Sequence, residues 1–264
     1  MSLVVTDAIV LHAFDYLESS RILRIVTRDA GVRSVLARGA RRSKKRFGSA
    51  LDLYAQGAAQ LQTKPGRELD TLNDFDVQRA RPQLALQMSR FAGASAIAEL
   101  TLRFAGEAAD PGLFEAVESA LDSIGAAAPD QARAVTLAGA WRVLRELGIA
   151  PTVDSCAECH AIVDAAATAM FSHPAGGTLC DRCAHLARSG RRLPPDARAA
   201  LRDWLNGEPH ALSTADAGRA HQRLLREFLH EHLSEDRPLR AFDVWERETL
   251  TSAELAPDLG EALR

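Results

Sequence analysis

The chain contains 264 residues, a length that accommodates one large domain or two to three small ones. Hydrophobic residues make up 47% of the sequence and charged residues 25%, which excludes a mainly disordered or fibrous protein. No stretch approaches the ~18 consecutive apolar residues of a membrane-spanning helix. The N-terminal residues also lack the basic start and cleavage site of a secretory signal. The sequence therefore predicts a soluble, cytoplasmic protein.

The net charge of −3 conceals an uneven distribution of charge along the chain. Residues 1–70 contain 12 basic and 7 acidic side chains, so the remaining residues carry a surplus of negative charge. Such asymmetry is typical of a basic N-terminal module that meets a polyanion, followed by a more acidic body.

The first 80 residues have the pattern of short β-strands. Runs rich in β-branched residues alternate with turn signals. Five strands are predicted, at residues 7–14, 20–27, 32–37, 50–63 and 69–77. A small closed barrel suits them because closure leaves no exposed sheet edge. Since the OB-fold is a common five-stranded barrel that binds nucleic acid, residues 1–80 are predicted to form an OB-fold domain.

The pattern changes from strands to helices at Pro82. Apolar residues at helical spacing, with proline and glycine near the ends, predict helices at residues 84–104, 111–124, 130–147, 195–206 and 215–233. An all-helical domain is therefore predicted at residues 81–150 and 191–245, followed by an acidic flexible tail at residues 246–264. The predicted fold class is α+β.

The four cysteines form two identical C-x-x-C pairs, Cys156 with Cys159 and Cys180 with Cys183, separated by 20 residues. This spacing is typical of zinc sites, in which four thiolates complete a tetrahedron of ~2.3 Å Zn–S bonds. Four sulfur ligands leave no open position for water, so the predicted Zn²⁺ is structural. Residues 151–190 are therefore predicted to form a zinc-binding module. A redox pair and metal-free cysteines are the less favoured alternatives.

Ten basic residues and a single acid lie between Arg21 and Arg46, and the densest part of this run is predicted to be an exposed loop. Like charges at this density repel one another unless an anion lies between them, and the arginine fork suits phosphate groups. A solvated basic loop without a ligand is the alternative. The predicted nucleic-acid-binding surface consists of Arg33, Arg38, Arg41, Arg42, Lys44, Lys45 and Arg46.

Four aromatic residues of the same module, Phe14, Tyr16, Phe47 and Tyr54, have ring faces on which bases could stack. Each is more often a packing residue, because a small barrel needs large side chains to fill its interior. No helical pattern is placed to read the major groove, so sequence-specific DNA recognition is not predicted.

The order of these features resembles the RecO family of bacterial recombination mediators. The resemblance is carried by the two C-x-x-C pairs and by residues 8–12 (AIVLH), 37–41 (ARGAR), 48–51 (GSAL), 147–151 (LGIAP) and 237–240 (RPLR). It implies an OB-fold followed by a helical domain with a zinc module, over most of the chain.

The resemblance also implies a function. It implies binding of single- and double-stranded DNA without sequence preference, and annealing of complementary strands. It further implies that the chain acts with RecR to load RecA onto DNA coated by single-stranded-DNA-binding protein, whose C-terminal tail is a partner. The expected location is the bacterial cytoplasm, at the nucleoid. Cations are needed to bind that acidic tail, and Arg219, Arg223 and Arg226 are candidates.

Two other classes of protein stay open from the residues alone. Zinc-containing RNA-binding or transcription accessory proteins also combine OB barrels with zinc modules. A metal-dependent nuclease or other enzyme is a further possibility. The sequence contains neither a Walker-type phosphate loop nor a G-x-S-x-G nucleophile motif, so no enzymatic activity is predicted.

Overall fold

The computed structural model describes residues 2–40, 47, 51–64, 66, 68–232 and 238–254, except for the side chains of residues 249–254. Contacts within the chain divide it into two compact units, Met1–Ala126 and Ala127–Arg264. The first unit contains the barrel strands and two helices, and the second contains the four-cysteine segment and the other helices. The domain limits expected at residues 80, 150, 190 and 245 stay predictions.

The first unit begins with a closed barrel of five strands in the order β1-β2-β3-β5-β4. The strands are β1 (Ser2–Tyr16), β2 (Ser20–Thr27), β3 (Gly31–Ala37), β4 (Gln56–Thr63) and β5 (Asp70–Arg79). Strand β4 pairs back to β1, and β3 and β5 run parallel. This is the arrangement expected of an OB barrel, so the predicted α+β fold with an N-terminal five-stranded barrel is confirmed.

Side chains at alternate strand positions fill the interior of the barrel. Leu23, Val35 and Leu61 are fully buried there. Two of the four aromatic candidates are buried as well: Phe47 lies in this core, and the hydroxyl of Tyr54 is hydrogen-bonded to that of a serine in the first helix. The packing interpretation therefore holds for Phe47 and Tyr54, and neither offers an exposed face to a base.

Strand β1 contains a β-bulge at Leu11. Val10 pairs with Ile25, whereas His12 pairs with Arg24, so Leu11 is an extra residue in β1 that has no counterpart in β2. An extra residue shifts the alternation of side chains by one position. After Leu11, each side chain of β1 therefore points to the face opposite to the one it would occupy without the bulge.

A 3-10 helix, Pro82–Ala85, leads from the barrel to α1 (Met88–Phe104) and α2 (Pro111–Ala126). The side chain of Asp110 accepts a hydrogen bond from the N–H of Leu113 at 2.9 Å and so caps the start of α2. Both helices pack against the barrel, and they also pack against each other.

The second unit combines helices with a small antiparallel sheet. Its helices are α3 (Ala132–Glu146), α4 (Asp181–Ala184), α5 (Pro195–Leu205), α6 (Ala215–His232) and α7 (Arg240–Glu254). Its strands, in the order β7-β6-β8, are β6 (Ala169–Ser172), β7 (Gly177–Leu179) and β8 (Arg191–Leu193). Phe242 and Trp245 of α7 are buried. The backbone stays helical to Glu254, through the first part of the segment that was expected to be a flexible tail. Within the described residues, no helix is both long enough and apolar enough to span a bilayer.

Candidate metal centre and nucleic-acid interface

The structure brings together the four predicted metal ligands, Cys156, Cys159, Cys180 and Cys183. Their sulfur atoms all lie within 4.8 Å of one another, and the Sγ atoms of Cys159 and Cys180 are 3.7 Å apart. None of the four forms a disulfide. A tetrahedron of ~2.3 Å Zn–S bonds places its sulfurs ~3.8 Å apart. The spacing of the sulfurs therefore fits four-coordinate metal binding.

Each cysteine pair lies on a tight turn. The N–H of His160 donates a hydrogen bond to the carbonyl of Cys156 at 2.9 Å, and His160 itself has a positive φ of 59°. The second pair lies at the start of α4, where the N–H of Ala184 donates to the carbonyl of Cys180 at 2.8 Å. Turns of this kind point two sulfurs of one short segment to the same side.

Thr178 joins the two halves of the four-cysteine segment. It is fully buried, and its hydroxyl lies 2.8 Å from the carbonyl oxygen of Val153 and 3.0 Å from that of Ser155. Its own carbonyl accepts a hydrogen bond from the N–H of Ala157 at 2.8 Å. The neighbouring Gly177 has no room for a Cβ, which would lie 2.3 Å from the carbonyl oxygen of Thr152. These contacts hold β7 beside the first cysteine pair.

The four thiols have different surroundings, which give Cys156 and Cys183 very different pKa values. Burial raises the pKa of Cys156, but hydrogen bonds from nearby backbone N–H groups outweigh this effect and bring the pKa to about 6. Burial, together with hydrogen bonds to the other sulfurs, raises the pKa of Cys183 to about 12. Four thiolates this close repel one another, and a bound divalent cation relieves the repulsion and deprotonates its thiol ligands. The donor set fits a metal that prefers sulfur ligands in a tetrahedron.

The predicted nucleic-acid-binding residues differ in their surroundings. Arg38 is exposed in the turn that follows β3, and no ion pair to it occurs among the residues that the structure describes. Arg33 has less freedom, because its Nη1 lies 3.3 Å from Oε2 of Glu107 and its Nε donates to the carbonyl of Ala30 at 2.7 Å. The other five members of the predicted surface, Arg41, Arg42, Lys44, Lys45 and Arg46, lie outside the described residues. The binding roles of all seven stay predictions.

Three further arginines of the basic run hold the first unit together. Each uses its guanidinium within this unit, which the sequence alone did not indicate. Arg21 pairs with Asp15 at 3.2 Å, and Arg28 pairs with Glu115 at 2.7 Å. Arg24 donates a hydrogen bond to the carbonyl of Leu102 at 2.9 Å. The density of charge in the sequence therefore overstates the positive charge that is available to a ligand.

The arginines proposed for an acidic tail lie on α6 and have different surroundings. Arg219 pairs with Asp216 of the same helix, and Nη2 of Arg226 lies 2.7 Å from Oδ1 of Asp243 in α7. Arg223 is exposed. Arg226 therefore connects two helices of the second unit, and Arg223 is the candidate with the most accessible charge.

Comparison with known proteins agrees with this architecture. The family model "Recombination protein O N terminal" matches residues 1–81, and "Recombination protein O C terminal" matches residues 85–241. A DNA repair protein RecO of Anaeromyxobacter sp. strain Fw109-5 is 33% identical over 242 residues, which cover 89% of this chain and 93% of the relative. The DNA repair protein RecO of Rubrobacter xylanophilus is 32% identical over 235 residues, which cover 88% and 92%.

The family models and the relatives assign this α+β protein, with its OB barrel, helices and four-cysteine cluster, to the class of DNA repair and recombination proteins. Within that class, the chain belongs to the recombination protein O (RecO) family. The family resemblance noted from the sequence is therefore confirmed.

Proposed function

We propose that this chain is a recombination mediator that acts by binding DNA and performs no covalent step. It binds single- and double-stranded DNA without sequence preference and anneals complementary strands. With RecR it loads RecA onto DNA coated by single-stranded-DNA-binding protein, whose C-terminal tail is a second protein partner. Its place of action is the bacterial cytoplasm, at the nucleoid.

One observation carries this proposal: the densest basic run of the sequence is attached to an OB barrel at an exposed arginine. Arg38 follows β3 directly, and the residues from Arg41 to Arg46 come next in the chain before β4. A concentrated cationic surface lowers the repulsion between two phosphate backbones, and base pairing then supplies the free energy of annealing. We expect Arg38 to contribute more than Arg33, whose charge is partly balanced by Glu107.

We also propose that the metal of the four-cysteine cluster is Zn²⁺ and that its role is structural. Held by the four cysteines, the ion would cross-link the turn that contains Cys156 to the start of α4. Zinc suits this donor set because its structural sites are tetrahedral and accept four cysteine sulfurs as ligands. Because all four positions are taken by protein ligands, we assign the centre no catalytic step.

A charge-reversal experiment tests the DNA-binding surface. Binding of a labelled single strand is followed by fluorescence anisotropy over a salt series, with the wild-type chain and with an Arg38→Glu, Arg41→Glu variant. Loss of two phosphate contacts reduces the slope of log K against log salt by about 1.4 for a single strand. The matched control is Arg188→Glu with Arg192→Glu, which makes the same change in net charge at two exposed positions of the second unit.

Two outcomes of this experiment matter. A folded Arg38→Glu, Arg41→Glu variant with wild-type affinity at low salt would refute the proposed surface. If the wild-type chain instead binds structured RNA far more tightly than DNA and does not anneal DNA strands, the proposed mediator function is wrong. The function as an RNA-binding protein is then supported in its place.

A further inference from the structure

The outer face of β1 and β2 is covered by helices along one half and open along the other. Ile9 and Val26 pair across these strands, face away from the barrel core and are fully buried, because α1 and α2 pack against this part of the sheet. The cover ends near Arg24, whose Nη2 donates to the carbonyl of Leu102 close to the end of α1. Beyond this contact the side chains of the outer face are exposed or half-buried.

An apolar stripe crosses the open half of this face. Phe14 of β1 pairs with Ile22 of β2, and Ile22 pairs with Leu36 of β3. Directly paired residues point to the same side of a sheet, and the alternate positions, such as Leu23, fill the barrel core. Tyr16 follows two residues after Phe14 on the same face. Phe14 is 44% exposed and Tyr16 is 41% exposed, whereas Ile22 and Leu36 are half-buried.

The bulge at Leu11 is the reason that the two rings face outward. Without the extra residue, the alternation of β1 would turn Phe14 and Tyr16 towards the barrel interior and place Ala13 on the outside. Bulges commonly redirect side chains next to functional sites. The sequence therefore places two aromatic rings on a surface where a soluble barrel normally carries polar side chains.

The charges around the stripe identify the kind of ligand that fits it. Arg38 is exposed in the turn two residues after Leu36. Asp15, which separates Phe14 from Tyr16 in the sequence and points to the other face of the strand, is paired with Arg21 at 3.2 Å. Flat apolar faces bordered by positive charge suit a strand whose bases are unpaired and whose backbone is negative. A duplex fits less well, because its base faces are already stacked.

We propose that Phe14 and Tyr16, supported by Ile22 and Leu36, form a base-stacking subsite for single-stranded DNA on the outer face of the barrel. This proposal rests on the proposed function, since it specifies which part of a DNA strand the barrel contacts besides its phosphates. Phosphate contacts at Arg38 and the basic run supply the salt-dependent part of the affinity, and the rings supply a part that depends on bases. The subsite distinguishes single strands from duplexes without reading their sequence.

The test compares two single strands of equal length and charge, oligo(dT) and an abasic strand that has the backbone but no bases. We expect the wild-type chain to bind oligo(dT) more tightly. Phe14→Ala and Tyr16→Ala should each weaken binding of oligo(dT) about tenfold and leave binding of the abasic strand, binding of duplex DNA and the salt slope unchanged. Tyr16→Phe keeps the ring and should bind like the wild type. Val5→Ala, at another exposed position of β1, is the control.

The outcomes separate the subsite from the proposed function. If the wild-type chain binds both strands equally, or if Phe14→Ala keeps the preference for oligo(dT), the subsite is refuted while DNA binding stands. If the wild-type chain binds neither strand nor duplex DNA, the proposed function fails as well. If the alanine variants keep their DNA affinities and lose affinity for RecR, the stripe is a protein interface and the inference is wrong. Thermal unfolding of each variant confirms that it is folded.

Discussion

Nε of the fully buried Arg81 donates a hydrogen bond to Oδ1 of Asp122 in α2 at 2.6 Å. The other nitrogens of this guanidinium donate to the carbonyl of Tyr54 at 2.9 Å and to the side-chain oxygen of Gln56 at 2.7 Å. A buried charge is tolerated only when it is paired and hydrogen-bonded in this way. One side chain therefore ties the barrel to a helix within the first unit.

We expect Arg81→Ala to lower the free energy of unfolding by about 3 kcal/mol, because the variant leaves buried acceptors without a donor. The control is Arg79→Ala, which removes a half-exposed partner of the same Asp122 and should cost at most about 1 kcal/mol. Urea unfolding followed by circular dichroism measures both. Equal losses in the two variants would contradict the role assigned to burial.

Arg81 also illustrates what could not be predicted from the sequence. Its partner Asp122 lies 41 positions further along the chain. Arg33 also pairs with a distant residue, Glu107, which is 74 positions away. Sequence spacing indicates contacts within one element or one turn, but it cannot indicate which charges meet after folding. The basic run was therefore recognised as basic, while the part of it that is used in ion pairs became visible only in the structure.

Local signals explain the parts that were predicted well. The four cysteines are identified as one site because two short turns suffice to bring them together, and the five barrel strands are predicted because alternation and turn residues are local. The short strands β6, β7 and β8 of the second unit are not predicted. Helix α7 is not predicted because its local sequence signal is weak. Its buried residues Phe242 and Trp245 stand in a charged stretch, and one apolar pair at a spacing of three is a weak helical signal.

Removal of the metal should destabilise the second unit. We expect about one zinc ion per wild-type chain, measured by atomic emission, and loss of zinc in a Cys180→Ser, Cys183→Ser variant. A ligand that binds the folded state alone stabilises it by about 4 kcal/mol at a free concentration 1,000 times its dissociation constant. The melting temperature of the double-serine variant should therefore be lower than that of the wild-type chain. His185→Gln is the control, since this nearby histidine is not among the four ligands. Zinc retained at one ion per chain in the double-serine variant would refute the assigned ligand set.

Gly31 and Gly39 have similar positive φ angles, but their replacement by alanine should have different effects on stability. Gly31 has φ = 66° and Gly39 has φ = 71°, so a side chain at either position costs about 1–2 kcal/mol of backbone strain. A Cβ on Gly31 would lie 2.3 Å from the carbonyl oxygen of Ala108, whereas no atom of the residues that the structure describes lies within 4 Å of a Cβ on Gly39. Gly31→Ala should therefore lower the free energy of unfolding by clearly more than Gly39→Ala does. Equal losses in urea unfolding would show that the chain near Ala108 moves away at little cost.

Acid should destabilise the second unit through His221. This histidine packs against Trp204 with the ring centroids 4.7 Å apart, and burial, aided by the charge of His210 and opposed by that of Asp196, lowers its pKa to about 4. The unfolded chain binds a proton near the ordinary value of about 6.5. Between these values the unfolded state holds more protons than the folded state, so the stability that is present above pH 6.5 is lost as the pH falls towards 4.

The expected loss from this one group is about 3 kcal/mol between pH 6.5 and pH 4, if the ring stays buried throughout. Urea unfolding at half-unit steps of pH measures it. His221→Gln removes the titrating group, so the free energy of unfolding of this variant should fall less steeply between pH 6.5 and pH 4. At pH 7 the variant should be less stable than the wild type, because the packing of the ring is lost. His230→Gln, at an exposed position of the same helix, is the matched control for the substitution itself. If the curve of His221→Gln runs parallel to that of the wild type down to pH 4, the buried histidine is not the source of the acid sensitivity.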